Sequence, residues 1–93
     1  MQTKFQERVY RIVKKIPKGK VTTYGIIAKK LKTSPRAVGK ALNSNKNLIK
    51  IPCHRVIMSN GEIGGYKLGV KKKIELLKKE GIKVEKNILQ INN

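Results

Sequence analysis

Ser34 followed by Pro35 constrains this chain more than any other pair of residues. A serine hydroxyl accepts from an otherwise unpaired amide at a helix start, and proline in the first turn gives up no hydrogen bond there. A helix is therefore expected from about Pro35 to Leu42, with Val38, Ala41 and Leu42 facing inward. Upstream, Thr22 or Thr23 can cap an earlier helix that carries Tyr24, Ile27, Ala28 and Leu31 on one side. Residues 23–43 thus read as helix, short turn, helix, with small Ala and Gly residues permitting close approach. As a pattern alone this helix-turn-helix is weak, because many helical hairpins never touch DNA.

The rest of the chain frames that unit. Thr3 and Gln6 form a capping box, after which Phe5, Val9, Ile12, Val13 and Ile16 recur at helical spacing until Pro17 and Gly19 end the helix. "KVT" is too short to assign. "LIKI" reads as a short extended run stopped by Pro52. "RVIM" reads as a strand, followed by a turn favoured by Asn60-Gly61 and a glycine-rich loop over residues 60–69. Residues 70–80 are expected to form a last helix with Val70, Ile74 and Leu77 on one face and Gly81 as its C-cap. The tail "IKVEKNILQINN" fits either a strand or a frayed end. With 93 residues there is room for one core, mainly α with a small β element. No apolar run reaches the roughly 18 residues a membrane span needs, and the N-terminal residues lack the apolar centre of a signal peptide. A soluble cytoplasmic protein is the expectation.

Charge narrows the partners. Lys and Arg number 23 against 5 acidic residues, a net charge of +18. Adaptation to heat raises Lys and Glu together, whereas these cations lack partners. Unbalanced positive charge repels itself and is relieved by a polyanion. Nucleic acid fits best, ahead of a merely solubilising surface or an anionic membrane.

The only cysteine and the only histidine stand side by side in "IPCHRVI", residues 51–57. One cysteine forms no internal disulfide, and one Cys, one His and no Asp argue against a metal site, which needs three or four ligands. A cysteine attacks as its thiolate, which needs a base or a cationic surrounding. Adjacent side chains of an extended segment point opposite ways, so a Cys53–His54 hydrogen bond requires a turn at Pro52-Cys53 or a bridging water. Glu80 is the candidate to orient the imidazole, since a carboxylate in the last turn of a helix opposes the helix dipole. A surface Glu80 and an inert buried Cys53 fit the same residues equally well.

The pieces "IPKGKVTTYGIIA", "SPRAVGKAL", "IPCHRVI", "GEIGGYKLG" and "LLKKEG", in that order, decide between these readings. From Phe5 to Gly81 the chain resembles the C-terminal, DNA-binding and active-site domain of the O6-alkylguanine-DNA alkyltransferases. The resemblance implies a winged helix-turn-helix-like catalytic domain that accepts an alkyl group on Cys53, once, with no cofactor. It implies His54 as a base acting through water, Glu80 holding its ring, and Tyr24 donating to the extruded guanine. Arg36 would fill the gap left in the duplex, with Ala37, Gly39 and Lys40 on the same DNA-binding helix, and Asn45 would brace the cysteine turn. Backbone groups of Cys53, Val56 and Lys67 would contact the base, while Gly64, Gly65 and Tyr66 would shape its pocket. Arg55 would pair with an acid or a carbonyl. The implied partner is duplex DNA containing O6-alkylguanine, bound by a monomer with no metal and no membrane. An alternative is a non-catalytic, alkyltransferase-like protein that flags alkylated DNA; such proteins carry Trp or Ala where this chain has Cys53. A general DNA-coating protein is the reading that charge alone would support.

Three features depart from the family pattern. A chain without the family's usual N-terminal domain, and without any zinc site that domain carries in some members, is the expectation. Lys46 follows Asn45 where proline is common, and Leu68 stands where tryptophan is common. These departures point to a looser bracing loop and a softer pocket edge.

Overall fold

The computed structural model describes residues 3–47, 50–85 and, for the backbone alone, 88–89. Helix α1 (Lys4–Lys14) begins with the expected capping box. The Gln6 amide donates to Thr3 Oγ1 and the Thr3 amide to Gln6 Oε1, each at 3.0 Å. Helix α2 (Tyr24–Leu31) is capped by Thr23 and helix α3 (Pro35–Asn43) by Ser34, whose hydroxyl accepts from the Ala37 amide at 3.1 Å. Each such cap is worth about 1 kcal/mol. Between α2 and α3 the chain reverses at Lys32, which takes a left-handed conformation with φ 55°.

These three helices enclose one cluster of buried residues, in which Val9, Val13, Ile27 and Val38 are completely covered. Full burial of such side chains contributes about 1.5–3 kcal/mol each. Tyr10 pins α1 to α3 by donating its hydroxyl to the Ala41 carbonyl at 2.6 Å. A second cluster joins Ile57, Ile63, Leu77 and Val84 beneath helix α4 (Val70–Lys79). The segment 53–57 runs through both, with Cys53 and Val56 in the first and Ile57 in the second. It forms a single 3₁₀ turn, Cys53–Arg55, followed by strand β2 (Val56–Ile57). Strand β2 pairs in parallel with β1 (Thr22–Thr23), Thr22 opposite Val56 and Thr23 opposite Ile57. Strands β3 (Val84–Glu85) and β4 (Ile88–Leu89) form an antiparallel pair at the end of the described chain, so this part of the tail is strand.

Some local expectations are corrected. In "LIKI", Leu48 and Ile49 lie outside the described residues, while Lys50 and Ile51 form a turn and a bend. Ile51 is held by the Asn47 carbonyl, which accepts its amide at 3.0 Å, and not by a sheet. The strand in "RVIM" is confined to its middle two residues because Arg55 closes the 3₁₀ turn. Helix α4 is capped by Glu80, with Gly81 next in the chain at φ 86°, and Val70 is exposed, not inward.

Arg55 binds three parts of the fold. Its Nη1 donates to the Ile16 carbonyl at 2.8 Å, while Nε and Nη2 grip Glu80 Oε1 and Oε2 at 2.9 and 2.7 Å. The end of α1, the 3₁₀ turn and the end of α4 are thereby tied together. This fork is the first cause of the low Glu80 pKa, about 2 against an ordinary 4.5, and His54 adds to it. A depressed carboxylate pKa stabilises the fold above the unfolded value, and that contribution is lost as pH falls from about 4.5 toward 2. We predict that Glu80→Gln lowers stability at pH 7 by about 3 kcal/mol. Urea melts should show that difference shrinking below pH 4; an equal difference at pH 2.5 would contradict the assignment.

Candidate active site

Pro52 and the 3₁₀ turn bring Cys53 and His54 to one place. The turn is closed by Pro52, whose carbonyl accepts the Arg55 amide at 3.0 Å, and Cys53 leans back on the Ile51 carbonyl at 2.8 Å. An extended chain would have sent the two side chains to opposite faces. The turn keeps both buried, each only 6% exposed. Among the described residues, no hydrogen bond links the thiol directly to the imidazole.

The imidazole is oriented from its far side. His54 Nε2 lies 3.0 Å from Glu80 Oε2, so with Glu80 ionised the proton belongs on Nε2. That leaves Nδ1 with a lone pair, and Nδ1 is buried with no hydrogen-bond partner among the described residues. Tyr66 packs edge-on against the ring, centroids 6.5 Å apart at 79°. A histidine held this way can accept a proton on the unpaired nitrogen while the carboxylate stabilises the cation that results.

The sulfur is held by Asn45. This side chain is 1% exposed, and its Nδ2 donates to the Ile51 carbonyl at 3.1 Å and to Cys53 Sγ at 3.0 Å. Its Oδ1 accepts the Asn47 amide at 2.9 Å, so Lys46 in the proline position leaves the brace intact. Burial is the largest influence on the thiol and pushes its pKa up from 9.0. The Asn45 hydrogen bond, the turn backbone and the charges of Lys73 and Lys67 pull the other way without overcoming it. The resting sulfur is therefore a thiol that needs a base.

Cys53 opens onto a cavity of about 610 Å³, between α3 and the glycine loop. Arg36, Gly39 and Lys40 line the α3 wall, with Arg36 exposed in the first turn of the helix; Ala37 stands outside the lining. Gly64, Gly65, Tyr66 and Lys67 form the other wall, and Tyr24 reaches in from the start of α2. Gly64 has φ 76°, and a Cβ there would lie 3.3 Å from the Tyr24 ring and 3.2 Å from Met58 Cγ. Only glycine lets the loop approach the phenol so closely. The Val56 side chain is completely buried in the core and does not line the cavity, and its backbone, the part expected to contact the base, lies in the β1–β2 ladder. Leu68 is 57% exposed and stands away from the cavity, so its replacement of tryptophan does not alter the lining.

One buried residue escaped the sequence reading. Lys73 is completely buried in α4, with Nζ 3.1 Å from the Gly65 carbonyl, 3.4 Å from the Tyr24 hydroxyl and 5.5 Å from the centre of that ring. Burial lowers its pKa from 10.5 to about 8, opposed by the Cys53 charge. Tyr24 is shifted the other way, upward, by burial first and Cys53 second, so its phenol keeps its proton at neutral pH. The site thus offers an acceptor nitrogen on His54, the Tyr24 phenol as a donor and the Lys73 and Lys67 ammonium groups around a single sulfur. Among the described residues no three His, Cys, Asp or Glu side chains gather as a metal ion would require. None of the described helices is long and apolar enough to cross a membrane.

The family model of the 6-O-methylguanine DNA methyltransferase, DNA binding domain, matches residues 4–82. The chain belongs to this family. A methylated-DNA–protein-cysteine methyltransferase of Saccharolobus solfataricus is 59% identical over 80 residues, covering 86% of this chain and 52% of that protein. The chain accordingly spans about half the length of the curated relatives it matches. The Mycobacterium tuberculosis OGT, solved in complex with DNA, is 40% identical with a TM-score of 0.81, over 87% of this chain and 51% of that one. Atl1 of S. pombe, solved with damaged DNA containing O6-carboxymethylguanine, is 32% identical with a TM-score of 0.82, over 99% of this chain and 93% of that one. These neighbours share the mainly helical fold with its small sheet.

The buried ammonium of this alkyltransferase-family domain has a cost that can be measured. A lowered lysine pKa penalises the fold fully below about pH 8, and the penalty is relieved as pH rises toward 10.5. Lys73→Met keeps the bulk and removes the charge, so it should raise stability at pH 7 by about 1–3 kcal/mol. Denaturant midpoints at pH 7 and pH 10 check this: the gain should narrow at the higher pH. A loss of stability at pH 7 would show that the Lys73 hydrogen bonds outweigh its desolvation.

Proposed function

We propose that this protein repairs DNA by moving a methyl or larger alkyl group from O6 of guanine in duplex DNA onto Cys53, once per molecule. The observation that carries the reading is the position of the sole thiol. It opens into a cavity walled by the second helix of a helix-turn-helix, beside an imidazole whose Nδ1 is unpaired. As the active-site domain of a methylated-DNA–protein-cysteine S-methyltransferase, the chain works as a monomer without cofactor.

The residues divide the work physically. Exposed lysines draw the duplex in by displacing counterions, which carries no sequence information. Helix α3 lies in the minor groove, with Arg36 wedged where the damaged base leaves the stack, at a cost of a few kcal/mol. An alkylated guanine pairs badly and so flips more readily than a normal base. In the cavity His54 Nδ1 takes the thiol proton through a bridging water, Glu80 and Arg55 holding the ring on its other side. The sulfur lone pair then forms the C–S bond as the carbon–O6 bond breaks. Electrons flow into the purine, which takes a proton from the Tyr24 hydroxyl; the Lys73 ammonium beside that oxygen stabilises the charge until the proton is replaced. Overall the thiol proton is exchanged for the alkyl group. A thioether has no leaving group that these residues can activate, so Cys53 stays alkylated.

One other reading, in which the lesion is bound and flagged without transfer, is tested against this one; the retained Cys53 speaks against it. Intact mass after incubation with O6-methylguanine duplex separates the two. A gain of one methyl, mapped to the Cys53 peptide and abolished by Cys53→Ala with DNA binding preserved, is the expected result. Tight lesion binding with no mass gain would establish the flagging protein instead. Arg36→Ala should slow repair of duplex substrate about tenfold or more while sparing reaction with free O6-alkylguanine base. Equal losses on both substrates would remove Arg36 from the wedge position.

A further inference from the structure

Lys67 makes a contact that neither the transfer chemistry nor the fold accounts for. It is an exposed residue of the glycine loop and lines the cavity. Its ammonium donates to the main-chain carbonyl of Asn45 at 2.9 Å, across 22 residues of sequence. Asn45 belongs to the turn after α3, and its side chain holds both the Ile51 carbonyl and the Cys53 sulfur. No carboxylate pairs with Lys67 among the described residues, so its hydrogen bond to that carbonyl has no charged rival there.

The loop it comes from has little else to hold it against this wall. Glycines occupy positions 61, 64, 65 and 69, Leu68 is exposed, and Tyr66 turns toward His54. Tyr24 and Lys73 both donate to the Gly65 carbonyl, at 3.4 and 3.1 Å, from the α2 and α4 sides. Toward the α3 side, among the described residues, the side-chain hydrogen bond is that of Lys67.

We infer that Lys67 is a positioning and specificity-determining residue: its ammonium ties the glycine loop to the Asn45 turn, setting the width of the cavity above the sulfur and keeping a positive charge beside it. The inference rests on the alkyl-transfer reading for its substrate, although the geometry stands without it. A hydrogen bond from an ionised donor is among the stronger ones, and the carbonyl end is fixed by the buried Asn45. Width then matters for chemistry, since a methyl group must be held in line with the sulfur while a bulky group needs more room. The charge has a second effect, because Lys67 is among the groups that draw the thiol pKa down against burial.

The test compares wild type with Lys67→Met, which keeps the length, Lys67→Ala, which removes it, and Lys67→Arg, which keeps the charge and donors. Two readouts are needed. The first is the pH–rate profile of Cys53 with iodoacetamide, a small probe that requires no guanine pocket. The second is the single-turnover rate against concentration for O6-methylguanine and O6-benzylguanine bases, which splits binding from the maximal rate. The inference expects both charge-removing variants to move the iodoacetamide profile to higher pH. It also expects the methyl-to-benzyl ratio of maximal rates to fall by about three- to tenfold. Lys67→Arg should restore both. Unchanged profiles and ratios in Lys67→Ala, or an arginine variant as impaired as alanine, would overturn it. If wild type transfers neither group, the alkyl-transfer reading fails, and the iodoacetamide arm alone then decides the Lys67 tie. Because Lys67 is exposed, folding is expected to survive, and circular dichroism of each variant verifies that.

Discussion

The bidentate grip of Arg55 on Glu80 is the interaction on which the site depends. It brings the ends of α1 and α4 to the 3₁₀ turn and fixes a carboxylate whose Oε2 still has room for a second donor. That oxygen is the one His54 uses. Without the arginine, a carboxylate at a helix C-terminus would be opposed by the helix dipole. With it, the negative charge is stabilised and can hold an imidazole in one tautomer. The pairing therefore serves fold and chemistry through the same two oxygens, and Arg55 acts on the thiol two steps removed.

Around this anchor the sulfur is set among opposing influences. Burial favours the neutral thiol, while Asn45, Lys67 and Lys73 favour the anion. Burial prevails at rest. A thiol kept neutral by burial is shielded from adventitious electrophiles, which suits the single-use nucleophile proposed above. The fully buried Lys73 shows the same compromise from the other side, since it stays where its charge is expensive. Such placements concentrate at functional sites.

Much of this was legible because its signals are local. Thr3, Thr23 and Ser34 announce helix starts through hydrogen bonds spanning three residues, and those hydrogen bonds are present. Cys53, His54 and Glu80 were drawn together by their chemistry. Lys73 was not, because helical periodicity treats lysine as solvent-facing. Its spacing from Val70 and Leu77, three and then four residues, did carry the signal. The core positions among these are Lys73 and Leu77, while Val70 is exposed and Ile74 half-buried. Its partners, Gly65 and Tyr24, come from a loop and from a helix 49 residues away, so no local pattern could pair them.

The two-rung ladder between Thr22–Thr23 and Val56–Ile57 has a mechanical consequence. Tyr24 follows one strand directly, and Cys53 precedes the other by three residues. Phenol and sulfur are therefore spliced to a common joint. Under the proposed reading, a bent duplex pressing on α2 and α3 would push phenol and sulfur through one shared ladder, and not through two independent supports.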